Sequence, residues 1–511
     1  MTSRERSFYW KIGYVVGICV LVWPLFILGR PATDKKAGGG VLAQLRREHG
    51  LSEADLGEID PAGETIKLAS LGLTNVAANI LWEKANEYKM KKDWTNLSAT
   101  LQQIAKLQPH FISVWKFQAW NLSYNVSAEF DDYKDRYRWV IKGIDFLMEG
   151  IDKNDREPRL YWDQGWFTAQ KIGRSDEHVQ FRRLFRNDDD FHASLPPELR
   201  DPTRDNWLCG KRCFKEAERL DAMPGVDMKG MSPLVFHSDK PMCQINYAEA
   251  LEDDGTFGEV AETAWRQAAR EWNEYGSLDI PTTYRDPRTG DDLSIHLNDR
   301  EFFQEQARKR VEKLEALAPG LREKIAQEKR DALPEKERQA LDTPVAERNE
   351  KQYELAAAAA EKTKVSHEEV AERVTGSDYA EALELADEAS KDEQSATYVN
   401  RYRQIVNFEY WRLRCRVEQA LEAIAARKAI HEGRRAANLD LNAAREAFDD
   451  GLAKWRKVLD KFPELLEDQT TGEDLIEVID RYKALLGKRD EKMPEPFVLQ
   501  DVLDKYGKKK P

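Results

Sequence analysis

The stretch NILWEKANEYKMKKDWTNLSATLQQIAKLQPHF (Asn79–Phe111) decides how the chain reads. Leu81, Ala85 and Tyr88 recur on one face of a first helix, with Trp82 beside them, at the spacing of an amphipathic helix. Lys91-Lys92-Asp93 interrupts the pattern. From Trp94 to Leu107 a second helix places Leu97, Leu101, Ile104 and Leu107 inward, and Pro109 ends it. Two short antiparallel helices cannot bury both faces alone. The pair therefore predicts further hairpins stacked on it, a helical solenoid.

The segment resembles a tetratricopeptide repeat, a unit of about 34 residues. Leu81, Ala85, Tyr88, Leu101 and Pro109 fall where that pattern has large apolar, small, aromatic, large apolar and proline residues. Lys84, Leu97 and Ile104 depart from it. Trp115, Ala119 and Leu122 open a second unit in register. That unit carries about a dozen extra residues around Val126–Tyr137, relative to the same repeat length, before a helix with Gly143, Leu147 and Gly150. Tyr161 and Gly165, in EPRLYWDQGWFTAQKIG (Glu157–Gly173), open a third. Ala261, Trp265 and Ala268 repeat the second-helix rhythm, and Lys454–Pro463 is a weaker echo. The resemblance is clear for one unit, partial for several, and absent elsewhere. It implies a solenoid that binds proteins with its first-helix face, where Asn79, Lys84, Asn86, Gln118, Asn121 and Gln164 are the polar positions expected to line the surface.

At 511 residues the chain has room for two or more domains. A net charge of −13, with no basic stripe carrying interleaved aromatics, excludes a nucleic-acid backbone as the expected partner. Ile12 to Leu28 is an uncharged apolar run at the short end of what spans a bilayer, with Tyr9, Trp10 and Trp23 as interfacial anchors. Gly29-Arg30-Pro31-Ala32 makes a poor cleavage site, which favours an uncleaved anchor over a cleaved signal. Arg4, Arg6 and Lys11 before the run nearly balance Arg30, Lys35 and Lys36 after it. A short basic tail before a single span points to a cytoplasmic N-terminus, with the remainder on the outer face of the cytoplasmic membrane.

The expected fold class is all-α: a transmembrane helix within residues 1–30, a linker and short helix over 31–64, and a repeat domain with inserted loops over 65–300. A charged Ala/Glu/Lys-rich segment over 301–396, solvated helices or a partly disordered arm, precedes a helical hairpin region over 397–490 and a tail over 491–511. No strand pattern stands out. Arg174 to Lys240 reads as an irregular insertion and Ile280 to Leu297 as a second long loop.

Cys209, Cys213 and Cys243, with His192 and His237 near them in sequence, are residue types that zinc prefers, although the spacing is not that of paired knuckles. Buried thiols and a disulfide are the other readings. His178, Asp188-Asp189-Asp190 and His192 form an acid–base or metal constellation, or simply a solvated turn. Motifs for metalloproteases, nucleophile elbows and EF-hands are missing, so neither an enzyme nor a cofactor is expected. Ten of the fourteen tryptophans lie between Trp82 and Trp272. Trp120, Trp162 and Trp166 exceed what repeat packing needs; packing in the core is the favoured reading for them, and a groove of exposed aromatics, which would suit peptide or glycan, is the other. The functional expectation is a membrane-anchored scaffold for protein partners. The alternatives are an exported enzyme or metal-dependent module built on residues 174–297, and an envelope polysaccharide-binding factor.

Overall fold

The computed structural model describes residues 23, 74–226, 228 and 230–507. Apart from Trp23, the apolar run 12–28 lies outside them, as does the linker 31–64. Among the described residues no helix is long and apolar enough to cross a membrane. The fold is helical, with a single two-stranded hairpin among those residues. It divides into two compact units, residues 1–230 and 231–511, a boundary inside the 65–300 stretch.

In the N-terminal unit, α1 (Thr74–Met90) pairs with α2 (Trp94–Leu107), and α3 (Ile112–Trp120) with α4 (Tyr133–Lys153). Helix α5 (Pro158–Trp166) is followed by α6 (His178–Arg186) and packs on α7 (Asn206–Asp221). Successive pairs touch through α2 with α3, α4 with α5, and α3 with α5, so each hairpin covers the face its neighbour leaves open. Side-chain caps start several of these helices: Asp93 accepts from the Asn96 N–H, Asp132 from Lys134, Glu157 from Arg159 and Asp205 from Trp207. Small residues set the close approaches. A Cβ at Gly150 would meet the Trp115 ring at 2.8 Å, and Gly165 and Gly210 let α5 and α7 touch backbone to backbone.

Helix α7 corrects the irregular reading of residues 174–240. Trp207, Cys213, Phe214, Ala217 and Leu220 are buried at helical spacing, with the cysteine serving as a small apolar residue. Three prolines and an acidic turn upstream of Asp205 obscured that period.

The C-terminal unit opens with α8 (Pro233–Asp253) and α9 (Glu259–Gly276). The expected loop at Ile280–Leu297 is instead an antiparallel hairpin, β1 (Ile280–Arg285) and β2 (Asp292–Ile295), pairing Ile280 with Ile295. Ile280, Leu293 and Ile295 turn inward, while polar Thr282 replaces the apolar residue that would have shown the alternation and donates to the Leu293 carbonyl at 2.7 Å. Asp286 accepts from the N–H groups of Arg288 and Thr289, and Gly290 supplies a φ of +77°, closing the turn.

The charged segment is helical, with α10 (Arg300–Leu317) lying along the 27-residue α11 (Tyr379–Ile405). Leu314, Ile325, Val370 and Ala382 form a small core between them and short intervening helices. Three further helices, α12 (Phe408–Glu418), α13 (Leu421–Ala436) and α14 (Leu441–Lys461), precede α15 (Gln469–Lys488). They close a larger core around Phe448, Leu452, Ile479 and Tyr482.

Candidate functional site

Helices α3 and α5 carry the same short sequence. Trp115-Lys-Phe-Gln-Ala-Trp120 and Tyr161-Trp-Asp-Gln-Gly-Trp166 align position for position, with Gln118 answering Gln164 and Trp120 answering Trp166. Each motif runs directly into a π-helical segment, Asn121–Val126 and Phe167–Lys171. A π segment widens the helix by one residue and rotates the turns beyond it, and such segments recur at functional sites.

The duplication sorts its residues by depth. Gln118, Asn121 and Gln164 are fully buried, which corrects their assignment to the solvent-facing surface. The Gln118 amide donates to the Ser98 hydroxyl at 2.5 Å, Asn121 donates to Gln118 at 3.5 Å, and Asn125 donates to Asn121 at 3.0 Å. Their polarity is spent on an internal ladder between hairpins. The Gln164 amide and the Thr168 hydroxyl are buried without a hydrogen-bond partner among the described residues. Lys84 and Asn86 on α1 are exposed, and Asn79 lies in the same helix.

The solvent-facing side chains are aromatic. Trp120 is 42% and Trp166 37% exposed, with Phe117, Tyr124 and Trp162 half-buried between them. The rings run on continuously. Phe117 and Trp120 have centroids 6.1 Å apart, Trp120 stacks on Tyr124 at 6.2 Å, and Trp162 stacks on Trp166 at 5.4 Å. Tyr124 joins the two helices, with its ring edge-on to Phe167 at 5.7 Å and its hydroxyl hydrogen-bonded to Trp166. Burial pushes the Tyr124 phenol up from its ordinary value, against that hydrogen bond. Lys116 and Asp163, 3.1 Å apart, tie the helices beneath the rings. Burial nonetheless pushes the Asp163 carboxyl up to about 6.

Two ammonium groups bracket the strip. Lys89 of α1 sits 5.1 Å from the Phe117 centroid, and Lys171 sits 4.4 Å from that of Tyr124. Burial holds the Lys171 amine below its ordinary value.

The other sequence candidates have structural partners. Cys209 and Cys213 lie one turn apart inside α7, where burial raises both thiols, Cys209 up to about 12; both are therefore un-ionised near neutrality. Cys243 is buried in α8 of the other unit. Among the described residues no group of three His, Cys, Asp or Glu side chains is arranged to hold a metal ion. Asp188 accepts from the Phe191 N–H and from the Tyr137 hydroxyl at 2.9 Å, and buried His192 meets the Phe185 carbonyl at 2.8 Å.

The C-terminal unit holds a cleft of about 370 Å³ among α8, α12, α13 and α15. Much of its charge is paired within the cleft. Arg427 binds Glu252 through two hydrogen bonds and also pairs with Glu418, while Arg414 pairs with Glu249 at 2.9 Å. This network joins α8 to α12 and α13. The aromatic strip combines exposed rings with two ammonium groups that have no ion-pair partner among the described residues, and the sequence signal for it was the repeated Gln-small-Trp triplet. A scan against protein-family models finds no match, and searches of curated proteins and of solved structures find none either.

Proposed function

We propose that the chain is a helical-repeat scaffold of tetratricopeptide type that binds an extended segment of a partner protein along the aromatic strip of α3 and α5. The observation that carries this reading is the duplicated motif, which exposes Trp120 and Trp166 at equivalent points of adjacent helices. Aromatic rings held by their neighbours offer large contact area at little entropic cost, the property of interface hot spots. Stacked side by side on rigid helices, they fit a partner lying extended across the repeats. The run 12–28 would anchor the scaffold in the cytoplasmic membrane with the units on its outer face, confining partner and scaffold to one plane. No residue is assigned a catalytic role, and no cofactor enters the reading.

The test is affinity capture of the full-length protein from its native membrane, wild type against Trp120→Ala/Trp166→Ala. A protein recovered with the wild type and lost with the double variant supports the scaffold. Recovery unchanged by the substitutions contradicts it. Release of the captured material by envelope glycans would instead favour polysaccharide binding on the same rings.

A further inference from the structure

Burial disfavours the charge of Lys171. Its ammonium is half-buried over the Tyr124 ring, and among the described residues no carboxylate lies within the 4.0 Å of an ion pair. Glu177 and Asp176, just beyond its π segment, favour the Lys171 charge from a distance, but Glu177 is ion-paired with Arg136, whose positive charge disfavours Lys171. Lys89, at the far end of the strip over Phe117, likewise has no acidic partner among those residues. Neighbouring Lys91 is satisfied by Glu87 at 2.5 Å, so the lack of an acid at Lys89 is not general to α1. Asp163 faces the same helices but is buried, engaged by Lys116, and disfavoured as an anion by that burial. A chain with a net charge of −13 thus presents, along this aromatic strip, two ammonium groups without an ion-pair partner and no exposed acid from the two motifs.

A ring face stabilises an ammonium only in part, and a half-buried charge gains most from a carboxylate that completes its shell. Charge complementarity therefore selects the occupant. We propose that the strip recognises an acidic extended segment of a partner protein, with one carboxylate on Lys89, one on Lys171, and the apolar part of the segment across Trp120, Tyr124 and Trp166. This rests on the scaffold reading and specifies its partner. A basic segment would add like charge beside Lys171, and a neutral one would leave both ammonium groups as they are.

The test is fluorescence anisotropy of three labelled decapeptides, (Glu-Pro)5, (Ser-Pro)5 and (Lys-Pro)5, titrated with the full-length protein. Proline keeps each peptide extended, so charge is the main variable. The expected order is acidic, then neutral, then basic, with (Glu-Pro)5 bound about tenfold or more tighter than (Ser-Pro)5. Lys89→Gln and Lys171→Gln should each erase part of that preference and together most of it, and Lys89 is exposed, so its variant does not threaten folding. Equal binding of all three, lost in Trp120→Ala/Trp166→Ala, would overturn the acidic preference and leave the scaffold standing. Binding indifferent to the tryptophans, or none at all, would overturn both.

Discussion

Gln118 and Trp120 are two residues apart, and ordinary polarity rules assign them the wrong way round. The glutamine is buried and the tryptophan exposed, because the glutamine has Ser98 and Asn121 to satisfy it while the ring surplus has no core left to fill. The residue types at a repeat face were legible in the sequence; which of them turns inward depended on partners from other hairpins. Gln118→Leu should therefore cost about 1–3 kcal/mol, by leaving buried polar neighbours unpaired. Trp120→Ala should cost less than about 1 kcal/mol. Urea unfolding of the two variants checks the ranking, and the reverse order would contradict the burial assignments. Arg427 is the corresponding residue in the C-terminal unit. Arg427→Met leaves the buried Glu252 without its cation and should destabilise by about 3–5 kcal/mol, measured the same way.

At the scale of elements, periodicity exposed α1, α2 and the starts of α3 and α5, since each carries a plain apolar stripe. It missed α7, where cysteines and glycine stand in the stripe, and the β1–β2 hairpin, where Thr282 and Pro281 occupy strand positions. The π segments left no signature beyond their identical placement after the two tryptophans. Helix α4 yields a pH test. Burial, reinforced by Asp188 and Glu149, pushes the Asp145 carboxyl up to about 6. The folded state thus holds this proton more tightly than the unfolded chain, whose carboxyl keeps its ordinary value of 3.8. Asp145 then lowers stability above pH about 6, and that penalty fades as the pH falls towards 4. Asp145→Asn should raise stability at pH 7 and lose its advantage near pH 4. An advantage independent of pH would show that burial does not disfavour the charged form.

For the molecule as a whole, composition conveyed the helical class, but not where the chain divides. The boundary at Gly230 comes after Ala222–Gly230, a stretch between α7 and α8 with exposed residues at Pro224 and Gly225 and a φ of +77° at Gly225. Brief proteolysis of the native protein should cut first within residues 222–232 and release fragments near 1–230 and 231–511. First cuts inside 301–396 would instead mark that segment as the weakest part. Its Ala-rich helices hide their packing in sequence because alanine contributes small contacts at many positions, as Ala382, Ala386 and Ala389 do along α11.

Partner binding on the strip of α3 and α5 underlies the proposed scaffold. The most direct measurement places a photo-crosslinking amino acid at position 120, or at exposed position 179 on α6 as control, in the full-length protein in its native membrane. Binding on the strip should give a discrete protein adduct from position 120 and none from position 179. Adducts of equal yield from both, or from position 179 alone, would contradict it.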